Sequence, residues 1–214
     1  MPSGFDRIAR PYRWLEYLSF GPMLERCRNH RLPEMHHKRR ALIIGDGDGR
    51  FTARLLKENS EITVDAVDIS PAMLTLLATR ATKAEASNRI TTHCTDAFAF
   101  SPTEHYDLLI THFFLDCLST SEVHQLAATL RPHLAPEALW VISDFDIPPT
   151  GPSVLPARIL IGFLYRAFGL LTGLKTRHLP DYRSALQSAS LQCKSRKAWL
   201  GGLLYSELWI PVNN

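Results

Sequence analysis

The chain alternates short apolar runs with stretches whose apolar residues recur at helical spacing. The clearest buried run is Leu108-Leu109-Ile110, set inside Tyr106–Thr111. The pattern predicts strands at Arg40–Ile44, Ile62–Asp68, Ile90–Cys94, Tyr106–Thr111 and Ala138–Ser143. Between them it predicts helices at Arg50–Glu58, Ala72–Ala84 and Ser121–Leu130. Ser70-Pro71 supplies an N-cap and a first-turn proline for the second helix, and Thr120 or Ser121 is the expected cap of the third. Strands alternating with helices imply an α/β, doubly wound sheet with helices on both faces. The end of the chain changes character. Gln192–Leu200 and Leu203–Pro211 are extended segments about Gly201-Gly202, a hairpin signal, so an antiparallel hairpin closes a seven-stranded sheet.

A length of 214 residues, 45% hydrophobic and 21% charged, fits one domain and excludes a disordered or collagen-like chain. Val154 to Leu174 is the most apolar stretch. Arg158 and Arg166 leave uncharged runs of only seven and eight residues there, short of the about 20 that a spanning helix needs. On a helix Arg158, Gly162 and Arg166 share one side, which makes the segment amphipathic. The first residues carry charges throughout and do not read as a secretory signal. Cys27, Cys94, Cys117 and Cys193 form no CxxC pair and read as thiols in a reducing cytoplasm. The histidines lack metal-ligand spacing, and His36-His37 point apart on any regular element, so no metal is expected.

The first strand runs into Gly45-Asp46-Gly47-Asp48-Gly49, whose glycines allow a tight turn and a close ligand approach at a helix N-terminus. Asp68 ends the second strand, where a carboxylate can accept from both hydroxyls of a ribose. Turn and carboxylate together point to an adenosine-containing cofactor.

Leu42–Gly49, Val64–Met73, Cys94-Thr95-Asp96-Ala97-Phe98 and His105–Thr111 resemble, in that order, the motifs of class I S-adenosylmethionine-dependent methyltransferases. The resemblance covers residues 40–145. Phe5–Tyr12 looks, more loosely, like the opening of the quinone-biosynthesis type of these small-molecule enzymes. That family has a Rossmann-like sheet ending in an antiparallel hairpin. The resemblance divides one domain into an N-terminal helical lid (1–39), a cofactor core (40–146), an acceptor-side insertion (147–190) and the hairpin (191–214). It places Gly45, Gly47 and Gly49 along the methionine part of the cofactor S-adenosylmethionine. Asp68 would bind the ribose, Ile69 and Met73 would lie near the adenine, and Asp96 would accept from its amino group beside Ala97. Thr111 and His112 would border the sulfonium and the acceptor. The chain departs from the family at Ile43, where an acid is common. Asp46 or Asp48 could then contact the cofactor's ammonium group, or Asp48 could cap the next helix.

Methyl transfer from a sulfonium mainly needs alignment, exclusion of water and, for some acceptors, a base. His112 is the candidate base, and Asp116 reaches its side if the intervening segment is helical. Asp144 and Asp146 end the fifth strand on the ligand side. Tyr12 belongs to the lid and could close over the sulfonium. Tyr165 and His178 lie in the insertion. The acceptor is expected to be a small hydrophobic or aromatic molecule, and the chain a monomer or homodimer. Nucleic acid is not expected, because His112-Phe113-Phe114-Leu115 stands where an amino-methylating tetrapeptide would be.

Two rivals remain at this level. An NAD(P)-dependent oxidoreductase would want G-x-G-x-x-G, and here the third glycine comes one residue early. A non-catalytic cofactor-binding subunit of the same fold is the other. The net charge of +3 hides an asymmetry. Residues 1–40 carry nine basic and four acidic side chains, residues 41–149 seven and fifteen, and residues 150–200 eight and one. An acidic core would thus face a cationic donor. The basic, apolar flanks would suit an acidic amphiphile or peripheral contact with a membrane.

Overall fold

The computed structural model describes residues 20, 22–148, 150–152, 154–172 and 178–212, without the side chains of residues 167–172. The strands are β1 (Arg40–Ile44), β2 (Thr63–Asp68), β3 (Ile90–Cys94), β4 (Tyr106–His112), β5 (Leu134–Phe145), β6 (Leu191–Trp199) and β7 (Leu204–Pro211). The α-helices are α1 (Met23–Asn29), α2 (Arg50–Glu58), α3 (Pro71–Lys83), α4 (Thr120–Leu130), α5 (Val154–Thr172) and α6 (Tyr182–Ser188).

The sheet runs β3-β2-β1-β4-β5-β7-β6. The first five strands are parallel, and β7 pairs antiparallel with both β5 and β6. Two cores sandwich this sheet. Leu42 and Ile44 of β1 pack with Val123, Leu126 and Leu130 of α4 and with Ala185 and Leu186 of α6. Ala41 and Ile43 point the other way, onto Phe51, Leu55 and Leu56 of α2 and Leu77 and Ala81 of α3. The period-2 alternation of β1 therefore feeds both faces, which is why its sequence is apolar throughout.

Local chemistry sets the ends of the elements. Ser70 caps α3 by accepting from Met73 N at 3.2 Å, with Pro71 at the first turn as expected. The cap of α4 is Ser119 rather than Thr120 or Ser121. Its hydroxyl accepts from Glu122 N, and the Glu122 carboxylate accepts from Ser119 N, a reciprocal capping box. Strand β5 is longer than the expected Ala138–Ser143. It starts at Leu134 opposite Tyr106, and its register jumps to Leu139 opposite Leu108. The irregular stretch between holds Pro136 out of the ladder.

Candidate active site

The order of the sheet reverses between β1 and β4, and the C-terminal ends of the strands diverge there. A cavity of about 240 Å³ lies at this point. Ile44 and Gly45 line it from β1, Val67, Asp68 and Ile69 from β2, and Thr95, Asp96, Ala97 and Phe98 from the segment after β3. Phe114, Cys117 and Leu118, after β4, close the wall. The walls are mostly carbon, with two carboxylates at their edges.

The glycine turn is built as the sequence implies. Gly45, Gly47 and Gly49 all have left-handed φ, of 71°, 62° and 77°. A Cβ on Gly45 would lie 2.5 Å from Phe114 Cδ2, so the ring rests directly on this backbone. A Cβ on Gly49 would lie 2.6 Å from the Leu77 Cα, and Gly49 is the residue from which α2 starts. Only glycine meets both the φ and the approach.

The two acids of the turn look inward. Asp46 Oδ2 accepts from the Thr52 backbone N–H at 3.0 Å and from its hydroxyl at 2.7 Å, which caps the first turn of α2. Burial pushes its carboxyl up to about 6, against the lowering effect of those Thr52 bonds. The capping role expected of Asp48 thus belongs to Asp46. Asp48 Oδ1 accepts from Arg50 at 3.0 Å, and Oδ2 from Arg80 at 2.8 Å. Both its oxygens are committed, and it does not line the cavity.

Asp68 and Asp96 both line the cavity. Asp68 Oδ1 accepts from Ser70 N at 2.8 Å, and Asp96 Oδ1 accepts from Phe98 N at 2.8 Å. Each carboxylate is thereby tethered through Oδ1 to a backbone N–H two residues on. Ile69 is half exposed at the cavity rim, whereas Met73 is buried on the inner face of α3. Thr111 does not line the cavity. It is fully buried, and its hydroxyl accepts the Trp140 indole N–H at 3.0 Å inside the sheet.

The expected pairing of His112 with Asp116 is not formed. His112 ends β4 on the opposite face from Thr111, edge-on to Phe51 at 4.5 Å. Neither ring nitrogen has a hydrogen-bond partner among the described residues. Burial, then the charge of Arg28, holds it neutral, well below the usual histidine range. The reason is local. Phe113 takes a left-handed φ of 53°, and the chain enters a 3-10 turn at Leu115–Cys117, so helical i,i+4 spacing does not apply.

Asp116 meets Asp144 instead. Asp116 N donates to Asp144 Oδ2 at 3.1 Å, and Phe145 N donates to Oδ1 at 2.8 Å. Both carboxyls are raised, first by burial; the charge of Asp116 pushes Asp144 up further. Two carboxyls brought together away from water each disfavour the other's ionisation. Tyr165 of α5 joins the group, its hydroxyl donating to the Asp116 carbonyl at 2.7 Å. Asp146 points elsewhere, accepting from Arg183 at 3.0 Å and Arg196 at 2.9 Å. His178 is exposed, and Tyr12 lies outside the described residues. The described residues contain no cluster of three or more groups able to hold a metal ion.

Phe114, Cys117 and Leu118 were not legible as site residues, because their stretch has no regular period. Phe98 was the last residue of a recognised motif, which is the signal that could have placed it in the wall.

Comparisons with known proteins fit this geometry. A family model described as a methyltransferase domain matches residues 42–140. A polyamine aminopropyltransferase of Bacillus anthracis is 34% identical over 114 residues, covering 48% of this chain. The chain spans about a third (32%) of the length of that curated relative. Among solved structures, the N-methyltransferase NodS of Bradyrhizobium japonicum, in complex with S-adenosyl-L-homocysteine, superposes with a TM-score of 0.69 at 17% identity. The superposition covers 98% of this chain and 97% of that one. The mitomycin 7-O-methyltransferase superposes with a TM-score of 0.72 at 15% identity, over 97% of this chain and 60% of that one. Residues 42–140 are therefore similar to a methyltransferase domain, and the chain has the Rossmann-like fold of the solved methyltransferases on which it superposes.

Proposed function

We propose that the protein is an S-adenosylmethionine-dependent methyltransferase acting on a small hydrophobic or aromatic acceptor. One observation carries this: the cavity at the β1/β4 switch point combines Gly45 of the left-handed glycine turn, the carboxylates Asp68 and Asp96, and apolar walls. That donor set fits the cofactor. Ile69, Ala97, Phe98 and Leu118 offer an apolar slot for an adenine, Asp68 a ribose acceptor and Asp96 an acceptor for the amino group. When bound, S-adenosylmethionine supplies a methyl group on a sulfonium that is already a good leaving group.

The chain's own residues then align and enclose the acceptor. Phe114, resting on Gly45, forms the wall between cofactor cavity and acceptor side. Asp116 and Asp144, with Tyr165 above them, are the groups that take up an acceptor proton. Their raised carboxyls make the pair a stronger base than a lone surface aspartate. His112 packs against Phe51 in this scheme and moves no proton. Tyr12 is assigned to closing the site over the donor, which Tyr12→Ala tests by a raised KM for the donor. O- and N-methyl transfer both suit an aspartate pair, and the broader class of acceptor is preferred to the quinone type, whose resemblance rests on Phe5–Tyr12.

The test is formation of S-adenosylhomocysteine from S-adenosylmethionine with a panel of phenols, quinols and aromatic amines. Turnover with at least one, lost in Asp68→Ala, is the expected result. No product from any of them, with cofactor binding intact, would favour a non-catalytic subunit.

A further inference from the structure

The outer face of α5 is apolar where a surface helix is normally polar. Leu155, Ile159 and Phe163 stand one turn apart in a row and are 67%, 65% and 65% exposed. The opposite face fixes this orientation: Ala157 and Ile161 are buried with Leu203, and Phe20, Phe145 and Ile147 pack around them. The solvated arginine side expected from the sequence is thus only part of the outer face. Arg158 and Arg166 are exposed beside the apolar row, and Val154–Thr172 contains no acidic residue. Residues 150–200 as a whole carry eight basic side chains and one acidic.

We propose that this face lays α5 flat on an anionic lipid surface, with Leu155, Ile159 and Phe163 in the acyl boundary and Arg158 and Arg166 among the headgroups. A basic helix with one apolar stripe is the chemistry that such a surface recognises. The helix does not cross: no described helix is long and apolar enough to span a membrane. A second copy of the chain fits less well. A two-fold contact through this face would set the arginines of one copy near those of the other. Three side chains at two-thirds exposure also offer only roughly 400 Å², taking about 200 Å² for each when fully exposed. A stable dimer needs about 800 Å² per partner. Tyr165, on the inner side of the same helix, reaches Asp116 beside the cavity. Docking would therefore bring the acceptor side to the lipid boundary. That consequence rests on the proposed function; the docking itself does not.

The test is flotation of the full-length protein with phosphatidylcholine vesicles, with and without 30% phosphatidylglycerol. Binding to the anionic vesicles, weakened by salt, is expected. Each arginine near such a surface is worth about fivefold in partitioning, so Arg158→Glu with Arg166→Glu should lower it at least 25-fold. Ile159→Ser with Phe163→Ser should lower it at least tenfold. Both variants should keep wild-type affinity for S-adenosylhomocysteine, which shows that they are folded and separates this test from that of the function. Absence of vesicle binding by the wild type overturns the proposal, as does equal binding to both vesicle types. A dimer that Phe163→Ser dissociates, without vesicle binding, would assign the face to a second copy.

Discussion

Replacing Gly45 by alanine tests the contact on which the cofactor cavity depends. Two costs can be worked from the structure. The first is conformational: φ is 71°, and a left-handed residue with a Cβ costs about 1–2 kcal/mol. The second is steric: the new Cβ would sit 2.5 Å from Phe114 Cδ2 and 3.1 Å from Cγ, so the ring must move by about 1 Å. Overpacking of this kind costs about 1–3 kcal/mol. The sum, about 2–5 kcal/mol, predicts a fall in Tm on the order of 10 °C for a chain of this size. Because Phe114 is a wall of the cavity, its displacement should also weaken S-adenosylhomocysteine binding at least tenfold. The assay is a double-mutant cycle with Phe114→Ala, read by thermal denaturation and calorimetric titration. Removing the ring should relieve the steric part and leave the conformational part, so Gly45→Ala should cost about 1–3 kcal/mol less in that background. Strictly additive losses in stability would show that the ring does not bear on Gly45, and the account of this wall would fail.

Further outcomes follow from the buried acids and the caps. The Asp46 carboxyl rises from 3.8 to about 6 on folding, so its contribution to stability is fully present below pH ~3.8 and is lost as pH rises through ~6. Asp46→Asn should remove on the order of 2–3 kcal/mol of that decline. Chemical denaturation at pH 4 and pH 7 measures it; an unchanged difference between the two would count against the buried cap. For the Asp116–Asp144 pair, Asp116→Asn removes the charge that raises Asp144. The acidic limb of the pH–rate profile should then move to lower pH, and an unmoved limb would remove the pair from proton transfer. Ser119→Ala removes the hydroxyl half of the α4 capping box and leaves the backbone N–H of residue 119 donating to Glu122; it should cost about 1 kcal/mol, whereas Thr120→Ala or Ser121→Ala should cost less than half of that in a denaturant melt.

The sheet was readable because its central strands β1, β2 and β4 are apolar on both sides and a glycine turn follows β1. Arg40–Ile44 and Ile90–Cys94 fall where the pattern puts them, and the hairpin about Gly201-Gly202 completes the seven strands. The first part of β5 was hidden by Pro136, which reads as a break but is accommodated by a bulge. In the site, Asp68, Ile69, Asp96 and Ala97 were legible because strand ends and a known motif fix their positions. The surroundings of His112 and Asp116 were not. The step from His112 to Asp116 depends on one left-handed residue, Phe113, and a 3-10 turn. Neither leaves a periodic trace, and the partner that Asp116 finds, Asp144, is distant in sequence. Thr111 and Asp48 are polar residues at ligand-facing ends that turn out to be satisfied internally, by Trp140 and by two arginines.

The central claim is that the cavity between β1 and β4 is shaped for S-adenosylmethionine. Calorimetric titration of the purified chain with S-adenosyl-L-homocysteine, and in parallel with NADH, tests it most directly. The account predicts a one-to-one complex with S-adenosyl-L-homocysteine, weakened at least tenfold in Asp68→Ala, and no saturable heat with NADH. Binding of NADH alone would contradict it.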